Sequence, residues 1–341
     1  MSALTREIGF AAKRFDKASI DTVYIGGGTP SMLEIKNIAR VCNALRDNFD
    51  IGNVKEYTIE CNPESIEEDK LKAYKDFGIN RISIGVQSLN DDNLRSMGRL
   101  HDSKTAIEKI ELASRYFDNV SADLIIGLPY DTESVIANEI DKVAPLVSHI
   151  SMYELSVEEG TPLAKRVSEG SVWLPDDDEV ADLFDVAIDT ASKHGLERYE
   201  VSNFARKGRY SKHNFGYWTR EEYLGIGAGA HSYIRTSDGE KLLANEIRFA
   251  SPKDVHAYIA GINCVDAYDA VPRTDMCVLS KDDCEKEKIM LGLRTVSGVD
   301  ESLLEGKIPA DCERFFVRKD GKIALTREGM AVMNSILIRI E

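Results

Sequence analysis

Short β-rich runs that end in polar or glycine/proline residues alternate with segments of helical period through residue 205. The runs are Thr22–Ile25 before GGGTPS, Tyr57–Ile59 before ECNPES, Arg81–Val86 before Gln87-Ser88, Ala122–Ile126 before GLPY, and Ile150–Tyr153 before ELSVEEG. Arg198–Val201 before SNFA reads as a sixth. Between the runs, Leu4, Ile8, Ala11 and Phe15 share one helical face. Ala106, Ile110, Ala113 and Phe117 do the same, as do Ile136, Ile140, Val143 and Val147. Asp176–Asp178 predict the start of a helix carrying Val180, Phe184, Ala187 and Ala191, and His194-Gly195 predicts its end.

Strand–helix alternation predicts an α/β fold with a parallel sheet. A doubly wound sheet and a barrel both fit it. The barrel is favoured because every run, not one or two, ends in polar residues. Barrel strands converge on one site, whereas an open sheet concentrates its ligands at one switch point. Beyond residue 205 the pattern changes. Gly, Tyr, His and Trp collect between Gly208 and Tyr233, and Ser237–Glu240 (SDGE) predicts a hairpin turn. From Asp282 on there is a helix holding Ile289, Leu291 and Leu293, then a short helix at Leu303-Leu304. A hairpin, FFVRKDGKIALT, and a last helix, REGMAVMNSILIRI, complete a winged-helix-like α+β module. The expected division is a barrel over 1–205, a connecting region over 206–280 and a small C-terminal domain over 281–341.

The 341 residues carry a formal net charge of −15, which argues against nucleic acid as a partner. No apolar stretch is long enough for a transmembrane segment and no signal pattern opens the chain, so a cytoplasmic location is the default. The six cysteines (Cys42, Cys61, Cys264, Cys277, Cys284 and Cys312) are scattered with no metal-ligand spacing. They read as small, mostly buried residues.

Several polar positions invite chemistry. Three glycines after a strand, Gly26, Gly27 and Gly28, followed by Thr29, let a ligand lie against the backbone. The plain alternative is a tight strand-to-helix turn, and the spacing is not a dinucleotide fingerprint. Glu60 ends its run and can hold an ammonium or ribose hydroxyls, or merely a helix start. Gln87 and Ser88 end another run, Asp123 lies in the next, and Arg99 in MGRLHD offers a carboxylate clamp. Together these suit an amino-acid-plus-nucleoside ligand. Gly225–Ala230 matches G-x-G-x-x-A, but a strand-like segment follows instead of a helix, so it reads as a close backbone crossing. HNFGYW (His213–Trp218) and HSY (His231–Tyr233) form a polar–aromatic cluster. Such histidines are ordinarily surface or capping residues, but one near aromatic rings can be an axial iron ligand.

GGGTPS, ECNPE, RISIGVQS, MGRLHD and DLIIGLP, in this order, resemble the radical S-adenosylmethionine barrel of oxygen-independent coproporphyrinogen III oxidase and its relatives. YEVSNFARKG, SKHNFGYW, YLGIGAGAHSY, MLGLRTVSGVD and LTREGM resemble the haem-chaperone branch. The resemblance covers nearly the whole chain. It implies a partial barrel with a small C-terminal domain. It implies that Gly26–Thr29 meet the methionyl amine and that Glu60, Gln87, Arg99 and Asp123 line the rest of the S-adenosylmethionine site. It also makes His213 the haem-associated histidine, with the rings of Tyr217 and Trp218 beside it.

The chain departs from that pattern at its start. The family carries a strand and a CxxxCxxC loop, the ligands of a 4Fe-4S cluster, ahead of GGGTP. Here 25 residues precede Gly26 and none is a cysteine. A truncated start is the expectation, with the first barrel strand missing and an unpaired edge beside Thr22–Ile25. Radical chemistry is then not expected of the chain as written. The function implied is a haem chaperone that binds haem and S-adenosylmethionine and passes haem to acceptor proteins. The alternative is an oxygen-independent coproporphyrinogen III oxidase. An unrelated sugar- or phosphate-processing barrel would leave the ordered motifs unexplained.

Overall fold

The computed structural model describes residues 1–237 and 244–340. Strands β1 (Thr22–Ile25), β2 (Glu56–Cys61), β3 (Arg81–Gln87), β4 (Val120–Ile126) and β5 (His149–Glu154) stand side by side in chain order. β2 to β5 are parallel throughout. That sequential order has no switch point, so it is the order of a barrel and not of a doubly wound sheet. β1 is one edge of the sheet among the described strands.

The sixth expected strand is corrected. Arg198–Val201 does not continue the parallel series. Instead β6 (Glu197–Arg198) and β7 (Asn203–Ala205) form a tight antiparallel pair, and β7 runs antiparallel to β5. The polar turn between them is pinned from within, since the Arg198 guanidinium donates to the carbonyls of Glu200 and Val201.

Register puts like against like across the parallel strands. Ile59 faces Ile82, Ile84 faces Ala122, and Leu124 faces Met152. On the other face Thr58 meets Arg81, Ser83 meets Ser121, Gly85 meets Asp123, and Asp123 meets Ser151. The apolar residues are buried, and the Ile, Leu and Met side chains contribute about 1.5–3 kcal/mol each. The polar face is buried as well: Arg81, Ser83, Ser121, His149 and Ser151 are all nearly inaccessible. This sheet therefore encloses a polar interior.

Two compact units divide the chain, and they are not simple consecutive segments. One comprises Tyr24–Leu33 and Glu56–Ser211. The other joins Met1–Val23 and Glu34–Lys55 to Lys212–Glu341. In this second unit the helix Ser2–Arg14 packs Ile8, Phe10, Ala11 and Ala12 into a cluster with Val41, Phe249, Tyr258, Ile262 and Val271. A three-stranded antiparallel sheet follows, β8 (His231–Ser237), β9 (Ala244–Ala250) and β10 (Thr274–Leu279), in the order β10-β9-β8. The turn expected at Ser237–Glu240 lies, from Asp238 on, outside the described residues.

The C-terminal wing is present. β12 (Phe316–Lys319) and β13 (Lys322–Leu325) pair across Asp320-Gly321, both at positive φ as a two-residue hairpin turn requires. A third strand, β11 (Val299–Asp300), adds to β13. The expected last helix is two, Arg327–Ala331 and Met333–Arg339, broken at Val332 (φ −109°, ψ 20°). Among the described residues no helix is long and apolar enough to cross a membrane.

The glycine run Gly225–Ala230 is a backbone crossing. A Cβ on Gly225 would collide with the carbonyl of His231, and the Gly227 N–H donates to Glu7 Oε2 at 2.9 Å. Glu7 is fully buried. It also accepts from Tyr258 Oη (2.7 Å) and pairs with Arg273 (3.1 Å). Removing one partner of such a pair strands the other charge in the core. Glu7→Ala is accordingly expected to cost about 3–5 kcal/mol in chemical unfolding, with the Glu7→Gln variant in between. A midpoint within error of the parent would contradict this.

Candidate functional site

The site grows from the turn that follows β1. Gly27 and Gly28 take φ of +82° and +74°, and nothing lies within 4 Å of where their Cβ atoms would be. The backbone there is open to a ligand. Gly26 is different, because a Cβ would sit 2.7 Å from the Tyr24 ring and 2.9 Å from the Glu60 carboxyl carbon. That crowding reflects a bonded pair. Tyr24 Oη donates to Glu60 Oε1 (2.7 Å), and the Gly27 N–H donates to Oε2 (3.2 Å). Burial and the Glu60 charge push the Tyr24 phenol far above its usual range, so it stays a donor. Glu60 thus ties the glycine turn to the end of β2.

Asp123 lies two strands over, in β4, paired with Gly85 of β3. Its carboxylate accepts from Ser83 Oγ (3.1 and 3.2 Å) and Ser121 Oγ (3.3 Å). Burial pushes its pKa up, while the Arg81 charge and the hydroxyls of Ser151 and Ser83 pull it back. Arg81 is the cation of this interior. Its Nη2 lies 3.4 Å from His149 Nδ1, and its buried Nε has no hydrogen-bond partner among the described residues. His149 Nδ1 also meets Ser121 Oγ at 2.8 Å, and its Nε2 faces Tyr199 Oη at 2.9 Å. Burial and Arg81 together hold His149 far below its usual pKa, hence neutral. Tyr199 Oη also accepts from the Ser211 N–H (3.1 Å), and its ring stacks on Tyr210 at 4.1 Å.

Gln87 closes β3 with φ of +70°, a left-handed conformation that costs a non-glycine residue about 1–3 kcal/mol. The β3–β4 register slips at this point, between Gly85 and Gln87. The Gln87 amide folds back over Gly85, where a Cβ would lie 2.8 Å from Nε2. Glu139, in the helix Glu133–Val143, holds the following turn. It accepts from Ser88 Oγ (2.5 Å) and the Leu89 N–H (2.7 Å). Burial pushes Glu139 up to about 7. Nearby Asp131 accepts from the N–H groups of Gly127 and Leu128 (2.9 and 2.8 Å) and from Asn93 Nδ2 (2.7 Å), and burial pushes it to about 6.

Gly27, Glu60, Gln87 and Asp123 therefore share one unit, the first three at or just past the C-terminal ends of β1, β2 and β3 and Asp123 in the middle of β4. Arg99 is in the same unit but bonds to none of them. Its half-buried guanidinium has no ion-pair partner among the described residues, and burial lowers its pKa against the pull of Glu64. His213, Tyr217 and Trp218 belong to the other unit, on a short helix, Lys212–Trp218. His213 Nδ1 is 2.8 Å from Thr22 Oγ1, and Nε2 is 2.8 Å from Tyr217 Oη. Burial pushes the Tyr217 phenol to about 12.

Sequence reasoning missed Arg81, His149, Tyr199 and Glu139. The signal existed for most of them. Arg-Ile-Ser-Ile-Gly-Val-Gln and His-Ile-Ser-Met alternate polar with apolar, the mark of a strand with one polar face. Glu139 sits between Ile136 and Ile140 on an apolar stripe, where a carboxylate is out of place unless bonded.

A glycine cradle after β1, a carboxylate closing β2 and another within β4, on strands in chain order, define a partial barrel of the radical S-adenosylmethionine class. Residues 3–143 match the Radical SAM superfamily. Heme chaperone HemW of Lactococcus lactis is 34% identical over 89% of this chain and 76% of its own length. That of Bacillus subtilis is 32% identical over 93% of this chain and 80% of its own. Radical S-adenosyl methionine domain-containing protein 1, mitochondrial, of Bos taurus is 31% identical over 94% and 75%. Coproporphyrinogen III oxidase (HemN) from Escherichia coli shares the fold, with a TM-score of 0.80 over 99% of this chain and 82% of its own, at 22% identity. The chain belongs to the heme chaperone HemW family of the radical SAM superfamily.

That family implies S-adenosylmethionine and a 4Fe-4S cluster. The open glycine cradle and the two carboxylates fit the former, a molecule bearing an ammonium and ribose hydroxyls. The cluster does not fit the residues described: among them no three His, Cys, Asp or Glu side chains group as metal ligands. Cys42, Cys61, Cys284 and Cys312 are buried, Cys264 and Cys277 are exposed, and among the described residues no two of them form a disulfide.

The raised Glu139 sets a pH dependence. The folded state binds its proton more tightly than the unfolded chain. Stability from this group is therefore full below about pH 4.3, the unfolded value, and is lost as pH rises to about 7. Glu139→Gln keeps an acceptor for Ser88 and Leu89 without the charge. Its unfolding free energy relative to the parent, from chemical denaturation, is expected to climb between pH 5 and 8 by on the order of 2 kcal/mol. A constant difference across that range would refute it.

Proposed function

We propose that this chain binds S-adenosylmethionine in the strand-end site and haem at the His213 helix, and that it delivers haem to acceptor proteins. In the first site the N–H groups and open backbone of Gly26–Thr29, with Glu60, take the methionyl amine. Asp123 takes the ribose, with Gln87 beside it, and Arg99 supplies a guanidinium for the carboxylate. S-Adenosylmethionine brings a sulfonium to that site. The steps assigned to the chain's own residues are binding and orientation: Tyr24 orients Glu60, Ser83 and Ser121 orient Asp123, and Glu139 fixes the turn after Gln87.

The observation that carries the haem reading is the setting of His213. Thr22 steadies its Nδ1, and its Nε2 meets the Tyr217 hydroxyl, a partner that iron can replace. Tyr217 and Trp218 offer rings to a macrocycle. We assign this site to the connecting region 206–280, between a barrel ending at 205 and the wing-bearing domain from 281. The names of the relatives support the chaperone reading. The oxidase alternative rests on a fold likeness alone.

Two measurements test the proposal. Asp123→Asn and Glu60→Gln should each weaken S-adenosylmethionine binding about tenfold or more in equilibrium dialysis, the value of a charge-assisted hydrogen bond. Retention of parental affinity by both would remove the strand-end site. In haem titrations His213→Ala should shift or abolish the Soret band of the parent; an identical spectrum and affinity would exclude His213 as the ligand.

A further inference from the structure

We propose that Arg235 and Arg248, backed by buried Arg220, form the clamp that receives the propionate carboxylates of haem. The inference rests on the haem reading above and specifies the anionic end of that ligand. All of its residues lie in the unit that contains the His213 helix.

A row of rings leads away from His213. Its imidazole stands edge-on to Tyr217 (5.1 Å between centroids), Tyr217 stands edge-on to Tyr223 (4.7 Å), and Tyr223 lies 6.2 Å from Tyr233. Tyr223 and Tyr233 exchange backbone hydrogen bonds of 2.9 Å, so the end of the row is fixed by the main chain. Around the Tyr233 ring stand three guanidinium groups, those of Arg220 (5.3 Å), Arg235 (5.6 Å) and Arg248 (5.3 Å).

Only two carboxylates, Glu246 and Glu287, pair with these three cations among the described residues. Arg220 is buried and bonded to both, at 2.6 and 3.1 Å. Arg248 forks onto Glu287 (2.6 and 3.0 Å), yet its buried Nε has no partner. Arg235 reaches Glu246 only at 3.9 Å. Its side chain is 43% exposed and that of Arg248 is 37% exposed. Glu222 Oε1 also accepts from the Arg235 N–H, so the three cations stand among three carboxylates, and the loosely paired Arg235 guanidinium is the one left at the half-open surface, in a chain whose net charge is −15. Rigid, partly desolvated guanidinium is the donor suited to carboxylates. Haem presents iron, a flat apolar ring and two propionates. His213, the tyrosine row and the arginine group present the matching chemistry in the same sequence.

The test compares haem with haem dimethyl ester, which keeps the iron and ring but has no carboxylate charge. The parent protein should bind haem at least about tenfold tighter than the ester, and this ratio should shrink with added salt. Arg235→Gln/Arg248→Gln should lower haem affinity to that of the ester while keeping the parental Soret position. Glu287→Gln, which frees guanidinium, should raise haem affinity and leave the ester unaffected. Equal parental affinity for acid and ester overturns the clamp and leaves the haem reading standing, even if every variant is unstable. A ratio unchanged in the double variant also overturns it. A parent that binds neither ligand refutes the haem reading itself.

Discussion

A single buried guanidinium organises the barrel interior. Arg81 has almost no access to water, and its charge reaches Asp123, His149, Tyr24 and Tyr199. It favours the ionised form of Asp123 against burial and forbids a second positive charge on His149. A polar sheet face is tolerable in a core only when its groups answer one another, and here the serine hydroxyls, the neutral imidazole and the tyrosine answer Arg81. Its own Nε remains without a protein partner, a cost borne next to the strand-end site.

The same face explains how the strand ends can hold a ligand. Parallel strands in chain order pair Glu60 with Ser83 and Gly85 with Asp123, and the absent side chain at Gly85 admits the Gln87 amide. The left-handed turn at Gln87 is unfavourable by itself. It persists because Glu139 accepts from the next two residues and because Gly85 lets the amide fold back. Local strain is thus carried by contacts from a helix some fifty residues further on.

Much of this was legible in the residues. The period of the runs revealed the parallel series, the wing and the helix faces, and polar strand ends pointed to Glu60, Gln87 and Asp123. The sixth strand was misread because Arg198–Val201 has a strand's composition. What turns it is a side chain bonding its own turn carbonyls, a contact that hydrophobic periodicity does not encode. The Tyr24–Glu60 and Thr22–His213 bonds join positions 36 and 191 residues apart, and nothing local announces such pairings. The interior Arg81 and His149 did leave a trace in the two-residue alternation, where polar letters marked an enclosed face instead of a wet one.

The glycine run at Gly225–Ala230 carries its own anion. Where a nucleotide-binding loop would turn its amides toward a phosphate, this one turns an amide toward Glu7, whose charge is already matched by Arg273. The loop is therefore self-liganded. A phosphate approaching it would find the amide already taken, and the same bond stitches the opening helix of the chain to this loop.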